Sequence, residues 1–124
     1  MITEISMEFM QSGQMEPDDI MRVVMFYGAR CGPCKATMPN YEAVAEHYTL
    51  TNTPILFYKI NAWEPAEQAQ YCRDTWNIKG VPHFKVFCKG NIIMIREGGG
   101  DEPTMKQFIV DCIDEAFKQL GVRI

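Results

Sequence analysis

Seven consecutive residues, Met21-Arg22-Val23-Val24-Met25-Phe26-Tyr27, are apolar at all but one position and lead almost directly into Arg30-Cys31-Gly32-Pro33-Cys34-Lys35. A nearly unbroken apolar run of this length suits a strand buried on both faces, and such strands belong to sheets covered by helices on either side. The residues after the second cysteine, Lys35 to Tyr48, read as a helix. Cys31 therefore falls at a helix N-terminus, where unpaired N–H groups and the helix dipole favour an anion. A thiolate is the anion at hand and is the reactive form of cysteine. Two cysteines at this spacing can close a disulfide within one turn or share a metal, and this setting points to redox chemistry.

The rest of the chain bounds that reading. With 124 residues and 47% hydrophobic content, residues 1–124 form one domain with room for a real core. A net charge of −4 argues against nucleic acid, because phosphate neutralisation needs a basic face. Glu4, Glu8, Glu16, Asp18 and Asp19 crowd the first nineteen residues, while Arg22, Arg30 and Lys35 surround the motif. A solvated acidic face explains the first set; the second raises the alternative of a locally electropositive redox site. The expectation is no signal peptide and no membrane span. Five cysteines, an odd number without an export signal, suit a reducing compartment, so the expected location is the cytoplasm. A zinc or iron–sulfur site needs two more ligands. Cys72, Cys88, Cys112, His47 and His83 offer no second CxxC or CxxH spacing, so no metal is expected.

Ile2 to Ile5 can form a short edge strand, with Ser6 capping a helix over Met7 to Gln11. Ser12-Gly13-Gln14 and Glu16-Pro17-Asp18-Asp19 read as turn and loop. Pro39 falls inside the helix that follows the cysteines, where a lost N–H and a ring clash should kink it. Pro54 to Ile60 is a second buried strand. Glu64-Pro65-Ala66-Glu67 opens a helix to about Trp76, with proline in its first turn. Phe84–Cys88 and Ile92–Ile95 form a hairpin across Lys89-Gly90-Asn91. Asp101-Glu102-Pro103 starts a last helix whose Met105, Phe108, Ile109, Cys112, Ile113, Phe117 and Leu120 recur at helical spacing. The order βαβαβαββα describes an α/β fold. Its central mixed sheet carries helices on both faces, parallel crossovers come first, and an antiparallel hairpin comes last.

With these residues in view, the sequence resembles the thioredoxin family over nearly its whole length. Cys31-Gly32-Pro33-Cys34-Lys35 matches the signature of thioredoxins proper, and Pro39 the kinking proline. Trp76-Asn77-Ile78-Lys79-Gly80-Val81-Pro82 is similar to the approach to the cis-proline loop; Gly90 matches the hairpin glycine and Gly98 the glycine of the active-site rim. The resemblance implies a thioredoxin fold and a cis peptide bond before Pro82. It places Val81, Pro82, His83 and Gly98 against an extended substrate segment. It implies that Cys31 is the exposed nucleophile and Cys34 the buried resolving thiol. Gly32 and Pro33 would tune the redox poise. Lys35 reads as a solvated helix residue, and secondarily as a source of field on the thiolate.

Three positions depart from the family pattern. Arg30 stands where tryptophan is usual, a cation expected to lower the Cys31 pKa and alter partner choice. Met25 replaces a buried aspartate thought to deprotonate the resolving thiol. Lys59, which matches the lysine near that aspartate, should then be neutralised by burial or turned to solvent. His83 follows the proline in place of a small hydroxyl residue; it reads as a surface or groove residue, or else as a substitute proton carrier. Tyr27 should pack under the active-site loop, Trp63 and Trp76 in the core or at helix edges, with substrate contact as their second reading. Cys72, Cys88 and Cys112 read as buried small hydrophobes.

The resemblance implies a protein-disulfide reductase acting through a Cys31–Cys34 disulfide, with no bound cofactor. It would be recharged by NADPH through a flavin-dependent thioredoxin reductase and serve substrates such as ribonucleotide reductase, as a monomer. Two alternatives remain open: a glutaredoxin-like reductase recharged by glutathione, to which Arg30 could pair, and a thioredoxin-fold binding module in an assembly.

Overall fold

The structure, a computed structural model, describes residues 1–13, 15 and 18–124. Gln14, Glu16 and Pro17, read above as turn and loop, lie outside the described residues. The elements run β1 (Ile2–Ile5), α1 (Met7–Gln11), β2 (Met21–Tyr27), α2 (Gly32–Leu50), β3 (Ile55–Asn61), α3 (Ala66–Trp76), β4 (His83–Cys88), β5 (Asn91–Glu97) and α4 (Glu102–Leu120). This is the expected order. One five-stranded sheet, β1-β3-β2-β4-β5, joins them. β1, β3 and β2 are parallel, β4 runs antiparallel to β2, and β5 antiparallel to β4.

Strand alternation divides β2 between two cores. Met21, Val23 and Met25 join Tyr41, Val44 and Ala45 of α2 and Met105, Phe108 and Ile109 of α4. Val24 and Phe26 face the other way, toward Met10 of α1, Cys72 of α3, and Tyr58 and Ile60 of β3. Tyr41 pins α2 to the sheet. Its hydroxyl lies 2.8 Å from the Tyr58 carbonyl and 3.2 Å from that of Val23, and its ring meets Phe57 and Phe84 edge-on. Satisfying this polar group is what permits a tyrosine to be fully buried.

Several details differ from expectation, each for a local reason. α2 begins at Gly32 rather than Lys35, because Cys31 itself is the N-cap and Pro33 occupies the first turn. Pro65 caps α3 instead of lying within it, and the Glu64–Pro65 bond is cis. The hairpin loop is two residues long: Asn91 already pairs with Cys88, and Lys89 (φ 50°) and Gly90 (φ 74°) adopt the left-handed backbone such turns use. Phe117, at the edge of the α4 stripe, is exposed, with the Arg123 guanidinium 4.7 Å from its ring.

Arg22 also departs from its reading as a cation beside the motif. It is buried at the far end of β2 and forms a two-pronged ion pair with Asp18, at 2.8 and 2.9 Å. That guanidinium holds the Asp18 carboxyl below the usual range. Its charge is therefore locally compensated, and part of the acidic N-terminal set is paired rather than simply solvated.

Candidate redox site

Cys31 and Cys34 are joined in a disulfide, their Cα atoms 5.2 Å apart. The Cys31 sulfur accepts the Cys34 backbone N–H at 3.2 Å, so the side chain that caps α2 is also the redox atom. Any negative charge on that sulfur meets this N–H and the positive end of a 19-residue helix. Pro33, in the first turn, contributes no N–H of its own. Gly32, Pro33, Lys35 and Arg30 are all exposed around the disulfide.

The Val81–Pro82 peptide bond is cis, and the Val81 carbonyl lies 3.7 Å from the Cys31 sulfur. This loop covers the nucleophile more than expected: in the disulfide Cys31 is only 5% exposed, against 2% for Cys34. Pro82 is buried beneath the same loop, and Val81 is half-buried. The Pro82 carbonyl accepts the Gly98 N–H at 2.9 Å, which ties the loop to the end of β5. Gly98 has φ +93°, a backbone state costly for other residues, whereas Gly99 is required by space. A Cβ on Gly99 would overlap the Thr37 hydroxyl and lie 3.3 Å from Pro82 Cγ.

Met25 is fully buried in the core that also holds both cysteines, in register with Lys59 on one side and Phe84 on the other. Lys59 is half-buried rather than turned fully to solvent. It has a new carboxylate partner, Glu4 of β1, at 4.0 Å, and its ammonium lies 5.7 Å from the centre of the Tyr27 ring. Tyr27 donates to the same Glu4 carboxylate at 2.6 Å, so it reaches across to the edge strand. Burial, then Glu4, pushes its phenol pKa up.

His83 is neither a surface residue nor placed to carry protons for Cys34. It is 5% exposed, meets the ring of Phe26 edge-on, and so lies on the face of the sheet opposite the cysteines. Its Nε2 has no hydrogen-bond partner among the described residues. Burial lowers its pKa, nearby Lys85 lowers it further, and Glu97 opposes them. Cys72, Cys88 and Cys112 are buried free thiols, as expected of small core residues.

Several contributors escaped the sequence reading. Thr37 is buried in α2 and accepts the Gly100 N–H at 3.2 Å, while Asn40 donates to the Gly100 carbonyl at 2.9 Å. Together they clamp the Gly98-Gly99-Gly100 rim onto α2; the glycine run was the available signal. Trp63 is 45% exposed, not a core residue, and its ring lies flat where a Cβ on Gly28 would be. Two cavities adjoin the site. One, about 360 Å³, is lined by Pro33, Thr37, Gly99 and Asp101; the other, about 190 Å³, by Trp63, Arg73, Lys79 and Val81.

Comparison with known proteins decides what this arrangement is. The sequence model of the Thioredoxin family matches residues 5–111. The chain belongs to the thioredoxin family. A thioredoxin-like protein of Synechocystis is 27% identical over 113 residues, covering 91% of this chain and 94% of that protein. Thioredoxin 1 of Plasmodium falciparum is 32% identical over 87 residues, 70% of this chain and 75% of its own. The crystal structure of Malassezia sympodialis thioredoxin superposes with a TM-score of 0.70 at 27% identity, covering 90% of each chain. The fold is the thioredoxin fold, and the protein is a thiol–disulfide oxidoreductase whose redox centre is the Cys31–Cys34 disulfide.

Proposed function

We propose that this thioredoxin-family protein runs as a reductase of protein disulfides, with Cys31 as nucleophile and Cys34 as resolving thiol. The observation that carries the reading is the Cys31 sulfur, seated at the N-cap of α2 and facing the Val81 carbonyl across the site. In the reduced protein, the Cys31 thiolate attacks one sulfur of a substrate disulfide, and the other sulfur leaves as a thiolate. The resulting mixed disulfide joins Cys31 to the substrate. Cys34 then gives up its proton and attacks the Cys31 sulfur, which re-forms the internal disulfide and releases the second substrate thiolate. Two electrons and two protons pass to the substrate.

The Val81–Pro82 loop is suited to hold an extended substrate segment by strand-like pairing beside the sulfur. Met25 cannot accept a proton, and His83 faces the opposite side of the sheet. The Cys34 proton therefore leaves through water or the departing substrate thiolate. Recharging needs two electrons from outside, and a flavin-dependent thioredoxin reductase using NADPH is the proposed donor. Substrates of the ribonucleotide reductase type, a monomeric state and a cytoplasmic location complete the reading.

The test is reduction of insulin with NADPH and thioredoxin reductase, run beside glutathione and its reductase. Turnover with the first system alone supports the proposal. Turnover only with glutathione replaces it with a glutaredoxin-like cycle, and none with either refutes catalytic disulfide reduction. Cys34→Ser should trap substrate through Cys31; trapping through another cysteine would contradict the assigned roles.

A further inference from the structure

The cavity of about 190 Å³ beside the cis-proline loop has an unusual lining. Its walls are Trp63, Ile78, Gly80 and Val81, and the charged groups at its edge, Arg73 and Lys79, have the same sign. Both cations are exposed, and neither has an ion-pair partner among the described residues. Asp74, next to Arg73 in sequence, and Glu64, next to Trp63, line no part of it. This cavity shares Val81 with the redox site, since the carbonyl of that residue faces the Cys31 sulfur. Trp63 is held there by the absence of a side chain at Gly28, on the same short connection that carries the exposed Arg30.

We infer that this cavity is a specificity subsite, which takes an acidic side chain flanking the disulfide-bonded cysteine of the protein substrate. The inference rests on the reading that the Val81–Pro82 loop holds that substrate. A Glu side chain has the matching chemistry: its methylenes lie on the Trp63 ring and its carboxylate meets Arg73 and Lys79. Arg can grip a carboxylate with two parallel N–H donors, and Lys adds a point charge. The chain as a whole carries −4, which opposes an acidic partner at long range. Selection at this subsite is therefore local, and it acts beside the exposed Arg30. Rim charges of this kind act mainly on association and partner choice.

The experiment uses the full-length protein, reduced beforehand, and short peptides whose central cysteine is disulfide-linked to 2-nitro-5-thiobenzoate. Attack by the Cys31 thiolate on the peptide sulfur breaks that bond and releases the coloured thiolate, which reports the rate. Two peptides differ only in carrying Glu or Lys on both sides of the cysteine. The wild type should favour the Glu peptide about tenfold in the second-order rate constant at low ionic strength, and the gap should close in about 1 M salt. Arg73→Glu with Lys79→Glu should invert the preference, and the milder Arg73→Gln with Lys79→Gln should erase it. Equal rates in the wild type, or an unchanged preference in both double variants, overturn the subsite while leaving the reductase reading intact. Failure to attack either peptide removes that reading and the subsite with it.

Discussion

Replacing Met25 with aspartate restores the carboxylate usual in the family to a site that has closed around its absence. Met25 has no exposed surface and packs with both cysteines, Tyr41 and Phe84. Losing that side chain forfeits about 2–3 kcal/mol of burial. Enclosing an un-ionised carboxyl without prepared hydrogen-bond partners costs about 1–3 kcal/mol more. The expected loss is thus about 3–6 kcal/mol, a large share of the roughly 5–15 kcal/mol that holds a domain together. The sign of its pH dependence follows from burial. Aspartate in the unfolded chain ionises near about 3.9, whereas the buried carboxyl stays protonated to higher pH. The unfolded state therefore releases its proton first, and the variant loses up to about 1.4 kcal/mol per pH unit above about pH 4, until the buried carboxyl ionises. Lys59 is the cation in register and is engaged with Glu4; drawing it inward would soften the loss, so Met25→Asp with Lys59→Met should be less stable still. Urea unfolding of the oxidised proteins between about pH 5 and pH 8 measures both effects. A variant as stable as the wild type at neutral pH, or one that gains stability as pH rises, would refute this account of the core.

Gly99→Ala should lower stability by about 1–3 kcal/mol, because its methyl displaces the Thr37 hydroxyl from the Gly100 N–H, and thermal melting will register the change. It should also slow thiol–disulfide exchange, since Pro82 lies against the same methyl. His83, held below its ordinary value of 6.5, binds a proton more readily unfolded than folded. Its stabilising contribution is complete above pH 6.5 and is lost as pH falls toward the folded value; urea midpoints for His83→Gln should show a shallower acid decline than the wild type. Burial pushes the Cys72 thiol up to about 11 and that of Cys112 up to about 12. In the reduced native protein iodoacetamide should label Cys31 first, with Cys72, Cys88 and Cys112 labelled only on unfolding; mass mapping of the sites checks this.

The architecture was legible because periodicity and punctuation agreed. The continuous apolar run at 21–27 becomes the central strand, and the spacing of Met105, Phe108, Ile109 and Cys112 becomes the inner face of α4. The cysteine pair and the loop before the proline at 82 likewise come together as the family resemblance implied. What stayed hidden depends on contacts between distant segments. Nothing near Lys59 in sequence announces Glu4, which arrives on a strand fifty-five positions earlier through parallel pairing. The side of the sheet that His83 faces depends on where β4 begins, and one residue of register reverses it. Arg22 looked like part of an electropositive motif because the sequence places it nearby, while an extended strand carries it to the other end of the sheet.

The contact between Trp63 and Gly28 also has a consequence for inheritance. Any side chain larger than hydrogen at position 28 evicts the indole, whose ring carbons are the three atoms nearest to where its Cβ would stand. The two positions can drift only as a pair. Among descendants of this sequence, an alanine or bulkier residue at 28 should arrive with a small or polar residue at 63, so the couple marks a lineage independently of the cysteines they flank.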